Sequence, residues 1–509
     1  MIKVLDGYVN YYTLENRNFN CTVSEFLSGN GIFLDAPCGG HGNCGKCKVY
    51  VKGDVSPVSG NEKKHLQNTE LKTGMRLACL AVLTGPSAEI RIPQYRRITA
   101  VTDSLEPAIE LAPWGKELGL AVDIGTTTVA AYLYDLKTGK RLGVSAVKNP
   151  QCVFGADVVS RQEQSLSGGG EQLSAAITGA VNDLADSLCR DSGRDPSEID
   201  AGVITGNTTM LYLLHGYPVK DIAVAPFDAK HLFGDFEPAA PRFSNWAPSC
   251  RIYYPRCISA YVGADITSAI LASGMCRQES PTLLADIGTN GELAINAGGK
   301  LLCCATAAGP SFEGSGIQMG SNAFDGAIDK VWIENGRTKI HTINNAEAGS
   351  ICGSGLLDSI ACLLDLEVID ETGRMDPDRC DEVLLDSYYL GDSKVLVCQA
   401  DVRALQLAKA AIRGGIETLL YHCGLDHGTQ PNLIIAGGFG SKLDPKSAQR
   451  IGLIPAGMAQ SARSIGNAAG LGAVMLLLSK NAIEECEKIA AKAKVVELST
   501  DPVFTDSFI

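Results

Sequence analysis

The sequence has little positive charge for its length, and this scarcity excludes several classes of partner. Lys and Arg number 44 against 57 Asp and Glu, which gives a net charge of −13. A nucleic-acid-binding protein needs a basic patch or stripe, and an electrostatic membrane anchor needs clustered lysines and arginines. We therefore expect no nucleic-acid partner and no membrane partner.

Long apolar runs are also missing. A helix that spans a bilayer needs about 20 mostly apolar residues, and the densest run here, residues 471–478, is far shorter. The opening stretch MIKVLDGYVN lacks the charged and then apolar layout of a signal peptide. The sequence therefore predicts no membrane segment and a cytoplasmic location.

The chain is long and rich in cysteine. Its 509 residues exceed what one hydrophobic core serves, so we expect about two to four domains. Eighteen cysteines are many for a cytosolic protein, where disulfides are rare. Most are scattered singly, and we interpret these as small buried side chains. We interpret the adjacent pair Cys303 and Cys304, and also Cys352, in the same way.

Four cysteines near the start of the chain have a regular spacing. Cys38, Cys44 and Cys47 follow C-x5-C-x2-C in the stretch DAPCGGHGNCGKC, and Cys79 follows in RLACLA. Three close thiols and one distant thiol are the ligand layout of a [2Fe–2S] cluster. The glycines let backbone N–H groups turn toward the sulfurs. A zinc site is the alternative, although such sites more often pair two C-x2-C knuckles.

Residues 1–94 resemble the [2Fe–2S] ferredoxin superfamily on this cysteine pattern. Strands are predicted at 2–13, 48–52 and 87–92, where the sequence is apolar or alternating. The resemblance implies a β-grasp domain, in which a small mixed sheet wraps on a helix. Residues 95–117 contain prolines and mixed charge without a clear period, and they are predicted to form a linker.

The rest of the chain contains one turn motif twice. Asp-Ile-Gly-Thr-Thr-Thr occupies 123–128 and Asp-Ile-Gly-Thr-Asn-Gly occupies 286–291, each between two strand-like segments. Backbone N–H groups and hydroxyls of such turns form a nest for phosphate oxygens, and an Asp at the strand end can hold Mg²⁺ through water. The predicted phosphate-binding residues are Gly125, Thr126, Thr127, Gly288, Thr289 and Asn290, with Asp123 and Asp286 as the predicted magnesium-holding residues.

A third motif, LIIAGGFGSKL at 433–443, reads as a buried strand that enters a Gly-Gly turn before a helix. Backbone at Gly437 and Gly438 can approach a nucleoside closely because neither residue has a side chain. Small-residue helices are predicted at 263–274 and 466–477. The group that activates an attacking water is not evident from the sequence, and Glu292 and Asp265 are the candidates.

In this order, the motifs are the signature of the superfamily of actin, sugar kinases and heat-shock-chaperone ATPases. Residues 118–509 resemble that superfamily over nearly their whole length. The resemblance implies a duplicated, ribonuclease-H-like (actin-like) ATPase of two α/β subdomains, with MgATP in the cleft between them. The expected halves are about 118–275 and about 276–480, and a C-terminal tail covers 481–509.

Four further stretches, NPQCVFGADVVSR, TGNTTM, AGPSFEGSGIQMG and ICGSGLLD, resemble reductive activators of corrinoid-dependent enzymes. In that family a ferredoxin-like domain commonly precedes an ATPase of this type. The resemblance implies an ATP-hydrolysing iron–sulfur reductase that returns Co(II) in a corrinoid protein to Co(I). The corrinoid protein would belong to a methyltransferase or carbon-monoxide-pathway system. It also implies a low-potential electron donor upstream and a homodimer.

Two other functions stay open at this point. One is an ATP-dependent activator of another low-potential enzyme, similar to the activators of acyl-CoA dehydratases. The other is a small-molecule kinase fused to a ferredoxin. Some relatives carry a C-terminal [4Fe–4S] cluster, but only Cys486 lies beyond residue 423, so we expect no second cluster.

Overall fold

The computed structural model describes residues 2–6, 10–14, 20–30, 32, 34, 40–42, 45–92, 107, 109–381, 386–425 and 429–508. The predicted ligands Cys38 and Cys44 lie outside the described residues, as does most of the predicted linker. Among the described residues, no helix combines the length and the apolar character that a membrane crossing requires.

The N-terminal domain is a five-stranded mixed sheet with strand order β2-β1-β5-β3-β4. Strands β1 and β5 are parallel, and the other pairs are antiparallel. The helix at residues 23–29 buries Val23 and Leu27 in the core of this domain. A mixed sheet wrapped on a helix confirms the predicted ferredoxin-like fold. Its elements are β1 (Ile2–Asp6), β2 (Asn10–Leu14), α1 (Val23–Gly29), β3 (Lys48–Val55), α2 (Glu62–His65), α3 (Asn68–Lys72), β4 (Met75–Leu77) and β5 (Leu83–Ile92).

The first half of the second module is a six-stranded sheet with order β10-β11-β9-β6-β7-β8. Its centre is an antiparallel hairpin, β6 and β7, beside the parallel strand β9. The elements are β6 (Leu118–Ile124), β7 (Thr128–Asp135), β8 (Lys140–Lys148), α4 (Val158–Gln164), α5 (Gly170–Asp191), β9 (Ile199–Gly206), α6 (Thr208–His215), α7 (Lys220–Ala223), β10 (Asp235–Pro238), β11 (Arg251–Tyr254) and α8 (Ala264–Ser273).

The second half repeats this plan in a sheet of order β21-β20-β12-β13-β14-β22. The hairpin β12–β13 lies beside the parallel strand β20, as β6–β7 lies beside β9. The predicted duplication is confirmed. The strands are β12 (Thr282–Ile287), β13 (Gly291–Ala297), β14 (Lys300–Thr306), β15 (Ala327–Glu334), β16 (Arg337–Thr342), β17 (Ser350–Ile351), β18 (Ser387–Tyr389), β19 (Leu396–Cys398), β20 (Asn432–Ala436), β21 (Arg463–Ser464) and β22 (Lys494–Val495). The helices are α9 (Gly353–Asp365), α10 (Gln399–Cys423), α11 (Pro445–Arg450), α12 (Ala468–Leu478), α13 (Lys480–Lys492) and α14 (Pro502–Phe508).

Helices α8 and α12 lie between the two six-stranded sheets and share one core with both of them. They cross at very short range, because a Cβ atom at Gly472 would lie 2.1 Å from the carbonyl oxygen of Ser268. The small residues predicted for these helices are thus required at the crossing. This helix pair sets the position of the cleft between the halves.

The described end of the predicted linker packs on the second module. Ala112 exchanges backbone hydrogen bonds with the end of α12 and the start of α13, at Leu478 and Lys480. The indole of Trp114 donates to the carbonyl of Leu476 at 3.2 Å and stacks edge-on against Phe236. These contacts fix where the chain enters the first half.

Candidate functional site

The two Gly-Thr turns face each other across one cleft. The hydroxyl oxygens of Thr127 and Thr289 are 3.3 Å apart although they belong to different halves. A phosphate between the turns would meet hydrogen-bond donors from both halves at once. The cleft encloses about 560 Å³ and is lined by every predicted phosphate-binding residue: Gly125, Thr126, Thr127, Gly288, Thr289 and Asn290.

The two glycine amides serve the turns themselves. The amide of Gly125 donates to the carbonyl of Thr128, and that of Gly288 donates to the carbonyl of Asn290, both at 3.0 Å. These bonds close the turns and leave phosphate contacts to the other groups of each turn. The two glycines therefore shape the turns, and Thr126, Thr127, Thr289 and Asn290 carry the candidate ligand contacts.

Residues of the stretch 149–161 donate hydrogen bonds to the backbone of the first turn. Asn149 donates from its side chain to the carbonyl of Gly125 and from its amide to that of Thr127, each at 2.8 Å. Arg161 is fully buried and donates to the carbonyl of Thr126 at 2.6 Å. Burial lowers the pKa of Arg161 to about 10, so the guanidinium stays charged near neutral pH. The carbonyls of Gly125, Thr126 and Thr127 are thus all held by hydrogen bonds.

Carboxyl groups surround the floor of the cleft. Burial raises the pKa of Asp123 to about 6, against the opposing hydrogen bond from Asn467. Burial and then the neighbouring carboxylates raise the pKa of Asp265 to about 7 and that of Asp286 to about 7. Burial and the charges of Asp265 and Asp286 also raise the pKa of Glu292 well above its ordinary value. The side chains are close enough to repel one another, and a cation among them would relieve that repulsion.

The arrangement fits a cation held through water. Within the described ranges, no three His, Cys, Asp or Glu side chains converge closely enough to bind a metal ion directly. Carboxylate oxygens and water are nevertheless the ligands that Mg²⁺ prefers, usually with several waters retained. Asp123, Asp265, Asp286 and Glu292 all line the cleft, so the predicted acidic residues are brought together.

The Gly-Gly turn also lines the cleft. Gly437 has φ of +91° and is pressed against the second hairpin, because a Cβ there would lie 2.6 Å from Oδ1 of Asp286. The next residues open into the cavity: Gly438 and Phe439 both line it. The ring of Phe439 stacks on Phe312 with centroids 4.7 Å apart. This flat apolar wall is suited to a nucleoside base.

Sequence reasoning missed several polar residues of the cleft, among them three that hydrogen-bond to predicted site residues. Asn467 donates to Asp123 at 2.8 Å, and Asn207 donates to the hydroxyl of Thr126 at 3.2 Å. Glu313 accepts hydrogen bonds from Thr127 and Thr289. Each lies in a stretch quoted above, namely TGNTTM, AGPSFEGSGIQMG or the start of the second small-residue helix. These stretches were identified as motifs from the sequence. The sequence could not determine which side chain of each motif enters the cleft.

The described half of the cluster site fits iron. The sulfurs of Cys47 and Cys79 are 3.3 Å apart and buried, although 32 positions separate the two residues. Contact with the Cys79 thiol lowers the pKa of Cys47 to about 7, against the effect of burial. A low pKa favours the thiolate, which is the form that binds metal. Two thiols at this distance can reach the same iron atom.

Other cysteines have the surroundings of structural residues. Cys303 and Cys304 are buried on strand β14, and burial raises the pKa of both thiols, that of Cys303 to about 12. Cys352 is buried in the wall of the cleft and contacts the carbonyl of Ile328 at 3.4 Å. The thiols of Cys303 and Cys304 are therefore poor nucleophiles and poor metal ligands.

The cluster loop touches the second module beside the cleft. Lys46, adjacent to Cys47, donates from Nζ to the carbonyl of Gly320 at 3.4 Å. Gly320 ends the stretch 308–320, whose other part carries Glu313 into the cleft. The two candidate sites are therefore connected by one short segment of chain.

Models of known protein families match both modules of the chain. The C-terminal domain of RACo, described as the ASKHA domain, matches residues 280–509, and the RACo middle region matches residues 118–278. A 2Fe-2S iron-sulfur cluster binding domain matches residues 12–84. These matches confirm the predicted combination of a ferredoxin-like domain with an actin-like ATPase.

Individual relatives span most or nearly all of the chain. The corrinoid activation enzyme RamQ of Eubacterium limosum is 34% identical, with 96% of this chain and 95% of the relative covered. The Co(II) methylated amine-specific corrinoid protein reductase of Methanosarcina barkeri is 24% identical, with 77% of this chain and 76% of the relative covered. A solved reductive activator for corrinoid, iron-sulfur protein is 30% identical, with 100% of this chain and 97% of that chain covered and a TM-score of 0.71. The chain therefore belongs to the family of reductive activators of corrinoid proteins.

Proposed function

We propose that this protein is an ATP-dependent reductase that returns an oxidised corrinoid protein from Co(II) to Co(I). The observation that carries the proposal is the presence of two different candidate sites in one chain of this family. One is a pair of buried thiols at a cluster loop, and the other is a cleft built from two phosphate-binding turns. An electron carrier alone would have no use for the cleft, and a kinase alone would have no use for the thiols.

The chemistry explains why the two sites belong together. A [2Fe–2S] centre of plant type, when bound, supplies one electron at about −400 mV. The Co(II)/Co(I) couple in such proteins is lower still, and each 59 mV of deficit in a one-electron step reduces the yield about tenfold. Nucleotide binding and hydrolysis in the cleft can offset that deficit. Closure of the two halves is a suitable two-state element for this coupling.

In the N-terminal domain, we propose that Cys38, Cys44, Cys47 and Cys79 hold the cluster. The close approach of Cys47 and Cys79 supports this set, since a cluster needs paired thiolates at each iron. An upstream donor of low potential would reload the cluster after each turnover. A cytoplasmic location would suit both the cluster cysteines and the low-potential donor, because thiols stay reduced there.

In the cleft, we propose that MgATP lies with its phosphates between the two turns. Thr126, Thr127, Thr289 and Asn290 would contact phosphate oxygens, and Gly438 would lie against the nucleoside. Asp123 and Asp286 would hold Mg²⁺ through water, and Glu292 or Asp265 would orient the attacking water. The crowding of carboxyl groups supports the cation, since phosphates entering without it would meet like charge.

The deciding experiment measures Co(I) directly. Full-length protein with its cluster is reduced chemically without oxygen and mixed with Co(II) corrinoid proteins of methyltransferase systems. The visible spectrum of Co(I) is then followed with MgATP, with MgADP and without nucleotide. We expect Co(I) to accumulate with the correct partner only when MgATP is present. Equal accumulation without nucleotide would contradict the proposed role of the cleft.

A further inference from the structure

Glu313 occupies an unusual position in the cleft. It ends a short 3₁₀ turn, Pro310–Glu313, and Gly314 follows with φ of +75°. A Cβ atom at Gly314 would lie 2.4 Å from the amide nitrogen of Ser321, so the backbone that orients Glu313 is fixed by close packing. Its side chain points between the two phosphate-binding turns.

The carboxylate joins the two halves of the module. One oxygen of Glu313 accepts a hydrogen bond from the hydroxyl of Thr127 at 2.9 Å. The other accepts a hydrogen bond from the hydroxyl of Thr289, also at 2.9 Å. Each threonine has a single hydroxyl proton, so one carboxylate occupies the donors of both turns.

A terminal phosphate offers the same chemistry as this carboxylate. Both are anionic, and both present several acceptor oxygens at hydrogen-bonding distance. The hydroxyl protons of Thr127 and Thr289 cannot be donated to Glu313 and to a phosphate at the same time. A phosphate that reaches both turns must therefore take these donors from Glu313, and the two anions would repel each other at that distance.

We propose that Glu313 is a positioning residue that latches the two phosphate-binding turns together until a terminal phosphate displaces it. This rests on the proposed function, because it takes the cleft to bind a nucleoside triphosphate. A diphosphate lacks the outermost group and leaves the latch closed more often than a triphosphate does. Glu313 thus makes the position of the two halves depend on the third phosphate.

The test compares Glu313→Gln with the unchanged protein in two measurements. The glutamine keeps the size of the side chain but removes its charge, so it holds the turns less tightly and repels phosphate less. Binding of AMP-PNP and of ADP, each with Mg²⁺, is measured by calorimetry on the cluster-loaded full chain. We expect AMP-PNP to bind at least about tenfold tighter to the variant, as loss of a hydrogen bond to a charged group implies. We expect ADP affinity to change by less than about threefold.

The second measurement needs no nucleotide. Amide hydrogen exchange at 125–128 and 288–290 should be faster in the nucleotide-free Glu313→Gln protein, and faster again in Glu313→Ala. Glu334→Gln is the matched control, because it removes the same charge from an exposed position of the same half. That control should leave both binding and exchange unchanged.

Each contrary result has a definite meaning. Unchanged affinities with loss of ATP hydrolysis would make Glu313 a catalytic residue and overturn the latch. Equal weakening of both nucleotides, with faster exchange across the whole domain, would make it a structural residue and overturn the latch as well. If the unchanged protein bound neither nucleotide, the proposed function would fail, and unchanged exchange at the two turns would overturn the latch separately.

Discussion

At the scale of single residues, two neighbouring glycines illustrate how differently identical residues can be used. Gly437 has a positive φ and lies against Asp286 and the carbonyl of Ile287, which a Cβ would approach to 2.6 and 2.7 Å. Gly438 has no described atom within 4 Å of the place where its Cβ would be. The first glycine is needed for packing at the second turn, and the second gives space to the cleft.

These surroundings predict different results for the same substitution. Gly437→Ala should weaken MgATP binding about tenfold or more, because the left-handed backbone costs about 1–2 kcal/mol and the methyl group displaces Asp286. Gly438→Ala should also weaken MgATP binding, because its methyl group would enter the space next to the nucleoside, but it should leave the free energy of unfolding unchanged, since the methyl group meets no described atom. Urea unfolding of both nucleotide-free variants measures the difference, and equal losses of stability would contradict the assignment of Gly437 to packing.

The sequence predicted those site residues that belong to a short motif, and it missed those whose partners are distant in sequence. Asp123 and Asp286 were predicted because each belongs to a repeated turn whose chemistry is contained in six residues. Asn467 was not predicted, because its bond to Asp123 joins positions 344 apart and exists only in the folded chain. Glu313 was not predicted for the same reason, since its partners lie on two turns that only the tertiary structure brings together.

At the scale of elements, strands with a local turn were predicted well. The hairpin β6–β7 and its repeat β12–β13 were confirmed, because the Gly-Thr turn and the apolar strands agree with each other. The strand character of residues 2–13 was predicted, but the turn within the segment was not. The segment forms two antiparallel strands, β1 and β2, and an unbroken strand-like sequence does not reveal where the chain turns back.

The sequence predicted a helix after the Gly-Gly turn without fixing where it begins. A 3₁₀ turn, Gly440–Lys442, comes first, and helix α11 begins at Pro445. Asp444 caps it by accepting a hydrogen bond from the amide of Lys446 at 2.8 Å. Proline at the first position after an Asp cap is a strong start signal, and it determined the boundary.

An element-scale prediction concerns a buried ion pair in the ferredoxin-like domain. Arg76 on β4 makes two hydrogen bonds to Glu62 on α2, at 2.8 and 2.9 Å, and both side chains are buried. Burial raises the pKa of Glu62, yet the hydrogen bonds from Arg76 and from the backbone amides of Ser59 and Leu77 together outweigh it and keep the pKa below its usual value. Arg76→Ala should therefore destabilise this domain by about 3–5 kcal/mol, because it leaves a buried charge without its partner.

The partly exposed pair Lys48–Glu70, at 2.7 Å, provides the control. Lys48→Ala should cost less than about 1 kcal/mol, since water replaces the lost partner. The stability of the domain is measured in both full-length variants as the urea concentration at which half of the cluster's visible absorbance is lost. Similar midpoints for the two would mean that the Glu62–Arg76 pair does not stabilise the domain in the way its burial suggests.

At the scale of the whole molecule, the two modules predict a separation of activities. Cys47→Ser should abolish electron transfer to Co(II) while MgATP affinity stays within about twofold. Asp123→Asn should keep the visible spectrum of the cluster and lower ATP hydrolysis by about 10- to 100-fold, as loss of a water-mediated metal contact does. Visible spectroscopy and phosphate release measure the two properties.

A matched control separates the loss of a ligand from the loss of a thiol. Cys423 is partly exposed on α10, far in sequence from the cluster loop. Cys423→Ser should leave both spectrum and ATP hydrolysis unchanged. If Cys47→Ser and Asp123→Asn each abolished both properties, the modules would not have separate tasks.

The crossing of α8 and α12 also limits how the cleft can move. At Gly472 the backbones are already in contact, with no side chain left between them to compress. Two such helices cannot approach further, but they can pivot and slide slightly about the point of contact. Narrowing of the cleft therefore has to be angular, and its mouth travels further than its floor. Residues near the mouth would then move a long way each time the cleft closes and opens. The carboxyl groups at the floor would keep nearly the same distances from one another.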